Sequence, residues 1–119
     1  ARAVAQNTPL MVMDEPTAHL DFKHELIVLE TIVGLVKKKG ISVIMATHFP
    51  NHAYYFENND VPTTVALMGS RCFKAIGYPS QVLTEENMAS VFGVSSKILT
   101  CNLDGSRQLK NIVPINTLG

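Results

Sequence analysis

The chain has 119 residues, of which 46% are hydrophobic, and its ten basic and ten acidic side chains cancel to a formal net charge of zero. That length suits one small domain with a real core. The balance gives no electrostatic case for nucleic acid or an anionic membrane surface as partner, and no apolar run approaches the roughly 18 residues of a membrane-spanning helix.

In chain order, Ala1–Gln6 reads as the tail of a helix, stopped at Asn7-Thr8-Pro9. With no methionine at its start, the chain reads as a piece of a longer one. The next stretch, Leu10-Met11-Val12-Met13, is apolar at every position and ends at two adjacent carboxylates, Asp14 and Glu15. An unbroken apolar run of this kind predicts a strand buried on both faces, as in parallel sheets covered by helices. Asp21 is a good N-cap, and Leu26, Leu29, Val33 and Val36 recur at helical spacing. Lys37-Lys38-Lys39 and Gly40 close that helix, with the lysines placed well for its dipole. Ile41–Ala46 is a second β-rich run. Strand, helix, strand makes a βαβ unit with parallel strands and a right-handed crossover.

After Thr47-His48 a short helix runs through Ala53–Phe56 to the polar turn Asn58-Asn59-Asp60. Thr64–Met68 predicts a third strand, turned at Gly69-Ser70 into an antiparallel partner over Arg71–Ile76. Pro79–Leu83 is a short helix. Thr84 caps another that ends at Gly93. Lys97–Leu103 and Gln108–Ile115 form a β-hairpin around the turn signal Asp104-Gly105. The two cysteines, Cys72 and Cys101, lack any metal-binding spacing and read as reduced thiols of a cytosolic protein.

The chemistry sits at the strand ends. In an open α/β sheet, ligands bind outside the carboxyl ends of parallel strands. Asp14 and Glu15 lie at one such end, Thr47 and His48 at the next. Neighbouring carboxylates on a chain point in different directions and suit different tasks. One can hold Mg²⁺ through water, because that hard cation prefers oxygen and keeps much of its hydration. The other can orient or deprotonate a water, and a nearby histidine can contact a phosphate oxygen. The plainer alternative is a loop start with a helix cap. His48 and His52 also stand four apart, the spacing of one helix face, but a zinc site would need further ligands.

Taken together, "LMVMDEPTAHLD" followed about thirty residues on by "VIMATHFPNHA" resembles the ATP-binding subunits of ABC transporters. The resemblance makes Leu10–Asp14 the Walker B strand, with Asp14 the Mg²⁺ residue acting through water. It makes Glu15 the catalytic glutamate, Ala18–Asp21 the D-loop with Asp21 its aspartate at the nucleotide-bound dimer interface, and His48 the switch histidine. "ARAVAQ" resembles the helix after the family's signature sequence, and "VALMGSRCFKAIGYPSQVLT" its later hairpin and short helix. The match covers roughly residues 1 to 93. "THFPNHA", "LTEENMASVFGV" and the terminal hairpin resemble the branch that imports iron-siderophore, haem, cobalamin or molybdate.

The resemblance implies an α/β fold: the C-terminal half of a parallel-sheet P-loop NTPase core over residues 1–95, with a β-hairpin extension over 96–119. It implies ATP and Mg²⁺ as ligands, and a second ATPase subunit and transmembrane permease subunits as partners, with no nucleic acid. It implies a cytoplasmic location, peripheral to the inner face of the cell membrane. The glycine-rich P-loop GxxxxGK[ST], the Q-loop and the signature sequence do not occur in the 119 residues. The chain alone is therefore expected to be inactive. In the family the P-loop strand lies between the His48 strand and the Thr64–Met68 strand, so the isolated chain is expected to self-associate through open edges. A reading from another class is a stand-alone, non-catalytic interaction module derived from such an ATPase.

Overall fold

The computed structural model describes residues 9–69, 72–105 and 107–119. The helix tail expected over Ala1–Gln6 and the turn residue Ser70 lie outside these. The chain divides into two compact units, residues 1–49 and 50–119.

The first unit is the βαβ segment. Strand β1 (Leu10–Asp14) and strand β2 (Ser42–Ala46) pair in parallel, from Leu10 opposite Ser42 to Asp14 opposite Ala46. Between them runs helix α1 (Phe22–Lys39). Asp21 caps it with extended backbone, its carboxylate accepting from the His24 N–H at 2.8 Å. Gly40 ends it in the left-handed region at φ 67°, its N–H bonded to the Leu35 carbonyl. A side chain at that φ would be strained, so glycine is the residue that lets the chain leave the helix and enter β2 directly.

Two expectations shift here. Leu29 and Ile32 are the buried residues of α1, while Leu26 is exposed. The buried stripe is rotated because the face is set by where β1 and β2 lie, not by leucine spacing alone. Nor is the sheet covered on both sides. Met11, Met13, Val43 and Met45 are half-buried, whereas Val12 is 71% and Ile44 58% exposed. Two strands joined by one crossover helix have one face to cover, and the period-2 geometry of a strand sends alternate residues to the other.

The second unit opens with helix α2 (Asn51–Asn58). Strands β3 (Val65–Gly69) and β4 (Cys72–Gly77) pair antiparallel, with a bulge between Leu67 and Met68. Helices α3 (Pro79–Val82) and α4 (Glu85–Asn87) follow, the latter capped by Thr84 and continued by a π-helical turn over Met88–Phe92. Gly93 closes that turn at φ 66°. Strands β5 (Val94–Asn102) and β6 (Gln108–Thr117) form the terminal hairpin, longer than its sequence pattern predicts and bulged at Ser95/Ser96. The core joins Tyr54, Leu67, Val82, Leu83, Met88 and Ile112, one or more from α2, β3, α3, the π turn and β6. The Tyr54 hydroxyl donates to the Leu83 carbonyl at 2.9 Å.

Candidate functional site

The parallel pairing of β1 and β2 brings their carboxyl ends side by side. The ladder extends one residue past β1, where the Glu15 N–H donates to the Ala46 carbonyl at 2.8 Å. That bond holds the start of the loop against the end of β2, two residues before His48. The result is a direct contact: His48 Nδ1 lies 2.7 Å from Glu15 Oε1. An ionised carboxylate only accepts, so with Glu15 ionised the histidine donates from Nδ1 and keeps Nε2 for a second partner. The imidazole is largely exposed, while the Glu15 side chain is about two-thirds covered, at 31% exposure.

Glu15 is in the left-handed region at φ 48° and His19 at φ 64°. Backbone of this kind in a residue with a side chain costs on the order of 1 kcal/mol and is found where the surroundings force it. Here a tight turn forces it: the Ala18 N–H reaches the Glu15 carbonyl at 3.1 Å and the Leu20 N–H the Thr17 carbonyl at 3.2 Å. The turn folds Thr17 inward to 3% exposure. Glu15 Oε2 and the Thr17 hydroxyl are both buried with no hydrogen-bond partner among the described residues. The glutamate thus has one oxygen engaged by His48 and one oxygen unengaged. A carboxylate held this way is oriented through its first oxygen, while its second is covered.

Asp14 is the last residue of β1, exposed, on the side of the strand opposite the half-buried methionines. Its oxygens suit a hard, hydrated cation. Asp21 is not drawn into the Glu15–His48 contact. It caps α1, and its Oδ1 lies 2.6 Å from His24 Nδ1. The His24 backbone N–H, and then the His24 ring, hold the Asp21 carboxyl below the usual carboxylate range. Beside His48, the Phe49 ring lies 4.2 Å away centre to centre, and the Phe49 N–H donates to the Thr47 hydroxyl at 3.1 Å. Among the described residues no group of three or more His, Cys, Asp or Glu converges as a metal site, and the Cys72 and Cys101 thiols are free and exposed.

Sequence reasoning passed over Thr17 and His24. His24 had a signal, three residues after the cap, where an N-cap's partner sits. Thr17 had none, since its burial follows from the turn.

No protein-family model matches the chain. It is 36% identical over 104 residues to an uncharacterised ABC transporter ATP-binding protein of Haemophilus influenzae, covering 87% of this chain and 37% of that protein. It is 34% identical to the iron(3+)-hydroxamate import ATP-binding protein FhuC of Bacillus subtilis, covering 84% of this chain and 35% of the relative. It is 33% identical to the molybdate import ATP-binding protein MolC of Haemophilus influenzae, covering 77% and 34%. The chain thus spans little more than a third of the length of these curated relatives. Among solved structures, an inward-facing metal-chelate type ABC transporter matches with a TM-score of 0.77 at 26% identity, over 97% of this chain and 44% of that one. Paired parallel strands with acids at the carboxyl end of one and histidine just past the carboxyl end of the other, found in a chain that aligns over most of its length with these proteins, have one common source: the chain belongs with the ATP-binding subunits of ABC transporters, as part of their α/β ATPase domain.

Proposed function

We propose that this chain is the Walker B, D-loop and switch-histidine portion of a subunit that hydrolyses ATP to drive solute import, with a metal chelate or molybdate as the solute class. The observation that carries the reading is the Glu15–His48 hydrogen bond at the ends of adjacent parallel strands. The names of the relatives support the solute class, since they import iron hydroxamate, molybdate, hemin and petrobactin.

The geometry supports these roles. Glu15 is the general base: His48 orients its carboxylate through Oε1, and that carboxylate accepts the proton of a water attacking the γ-phosphate. A positioned base of this kind contributes typically about 10²–10⁴ in rate. His48 uses Nδ1 to orient Glu15 and Nε2 to bond the γ-phosphate. Asp14 would hold Mg²⁺ through water, and the ion would neutralise charge developing on the phosphates. The exposed carboxylate at the strand end fits such a cation. Asp21, at the head of α1, faces a second ATPase subunit when two of them close on nucleotide. Closure is passed to transmembrane permease subunits, which places the chain at the cytoplasmic face of the membrane. Residues 1–95 are the ATPase portion and 96–119 the hairpin extension. The 119 residues contain no glycine-rich phosphate cradle, so by themselves they bind Mg-ATP weakly and do not turn it over, and through open strand edges they self-associate.

The test is the reading frame upstream of the Ala1 codon. A signature-like stretch followed further upstream by GxxxxGK[ST] is expected. A stop or start codon directly at that point would sink the catalytic reading.

A further inference from the structure

His48 stands just past β2, where the parallel ladder has ended, and its imidazole is 68% exposed. A ring in that position is ordinarily free to turn. The second torsion of histidine is broad, with no sharp staggered minima to hold the ring plane. Two contacts restrain it. Nδ1 lies 2.7 Å from Glu15 Oε1, and the Phe49 ring lies 4.2 Å away, centre to centre, tilted by 35°.

The two contacts act on different freedoms. The hydrogen bond fixes where Nδ1 lies. It also selects the ring flip, because a flipped ring would offer Glu15 a C–H in place of an N–H. It leaves the ring plane able to rock about the N···O line. The phenyl face opposes that rocking. Aromatic rings favour offset or tilted pairs, and an imidazole that rocks away gives up the pairing. With Nδ1 and the plane both set, the direction of Nε2 is set too, and Nε2 is the ring nitrogen left for a second partner.

Phe49 is held by its own backbone. Its N–H donates to the Thr47 hydroxyl at 3.1 Å, a short turn that brackets His48. The Phe49 side chain is exposed, so the core does not account for it. Glu15, Thr47, His48 and Phe49 all belong to the first compact unit, and the arrangement is complete within it.

We propose that Phe49 is a positioning residue: its ring fixes the plane of the His48 imidazole while Glu15 fixes Nδ1, so that Nε2 meets its partner in one orientation. The catalytic consequence rests on the proposed role of His48 at the γ-phosphate; the structural claim does not.

The experiment uses the chain labelled with ¹⁵N in histidine and follows exchange of the Nδ1 proton with water. Removing a ring displaces nearby signals through its ring current alone, so the exchange rate decides rather than the shift. In the wild type the His48 ring protons show cross-relaxation with the Phe49 ring, and its absence overturns the proposal. In Phe49→Ala the Nδ1 proton exchanges about 2- to 12-fold faster, the factor that matches the worth of an aromatic pair. In Phe49→Tyr, which keeps the flat face, the rate stays as in the wild type. An unchanged rate in Phe49→Ala, or an equal acceleration in Phe49→Tyr, overturns the proposal. Should Phe49→Ala fail to fold, Phe49→Leu decides. It keeps the apolar bulk and loses the flat face, so faster exchange is expected and an unchanged rate overturns the proposal. In the assembled ATPase, Phe49→Ala lowers kcat by the same factor with KM for ATP within about twofold, and Phe49→Tyr restores it. An unchanged kcat in Phe49→Ala overturns the positioning role. An assembled wild type without ATPase activity would sink the proposed function and leave the exchange measurement standing.

Discussion

Replacing Tyr54 by phenylalanine isolates one hydrogen bond in the middle of the second unit. The ring is 2% exposed and packs among Leu67, Val82, Leu83, Met88 and Ile112. Phenylalanine keeps the ring, so neither a transfer term nor a sizeable cavity arises. What goes is the hydroxyl, and with it the 2.9 Å bond to the Leu83 carbonyl, itself on a residue only 2% exposed. A buried acceptor stripped of its donor costs about 1–3 kcal/mol, and that is the expected loss at pH 7. The pH dependence gives a second reading. Burial, and then the charge of Glu57, raise the Tyr54 pKa above its ordinary 10.0. A raised folded-state pKa means stability that is complete below about pH 10 and is lost as pH climbs through the folded value. In Tyr54→Phe that part of the alkaline loss disappears, so wild type and variant converge as pH rises above 10. Urea denaturation followed by circular dichroism at pH 7 and pH 11 measures both. A difference under about 0.3 kcal/mol at pH 7, or one that persists undiminished at pH 11, would refute the reasoning.

Asp21 makes the opposite pH prediction. Its folded-state pKa is depressed below 3.8 by His24, so its support of α1 is present above that value and fades as pH falls through the folded one. Helicity should drop in that acid window, and Asp21→Asn, which still caps, should remove the step. Gly93→Ala tests the left-handed turn at φ 66°. An added Cβ meets only the Leu118 carbonyl at 3.9 Å, so the cost is torsional, about 1–2 kcal/mol, and Gly93→Asn should recover part of it.

The βαβ unit was legible because its signals are local. Asp21 and Gly40 bracket α1, and two β-rich runs flank it. Parallel pairing then follows from connection rules, and it alone brings the acid end of β1 to the histidine end of β2. The side of α1 that is buried was not legible, because Leu26 and Ile32 are both apolar and only the strands beneath decide between them. The left-handed turn at Glu15 carries no glycine to announce it. The bonds from the Asn51 and Asn58 side chains to the β6 backbone at Ile112 and Lys110 were least visible of all. Their partners lie 61 and 52 residues away, and an asparagine early in a short helix ordinarily reads as a cap. The hairpin's length was similarly underestimated, since Ser95, Ser96 and Pro114 interrupt its alternation at the bulge, where pairing nevertheless continues.

The most direct test of the catalytic reading is Glu15→Gln in the assembled ATPase, with nucleotide binding and hydrolysis measured on the same preparation. Glutamine can still accept from His48 through its carbonyl oxygen but cannot take a proton from water at neutral pH. The account predicts ATP binding within about twofold of the wild type and hydrolysis slower by at least about 100-fold. Unimpaired turnover in Glu15→Gln would contradict it and remove Glu15 from its role as base.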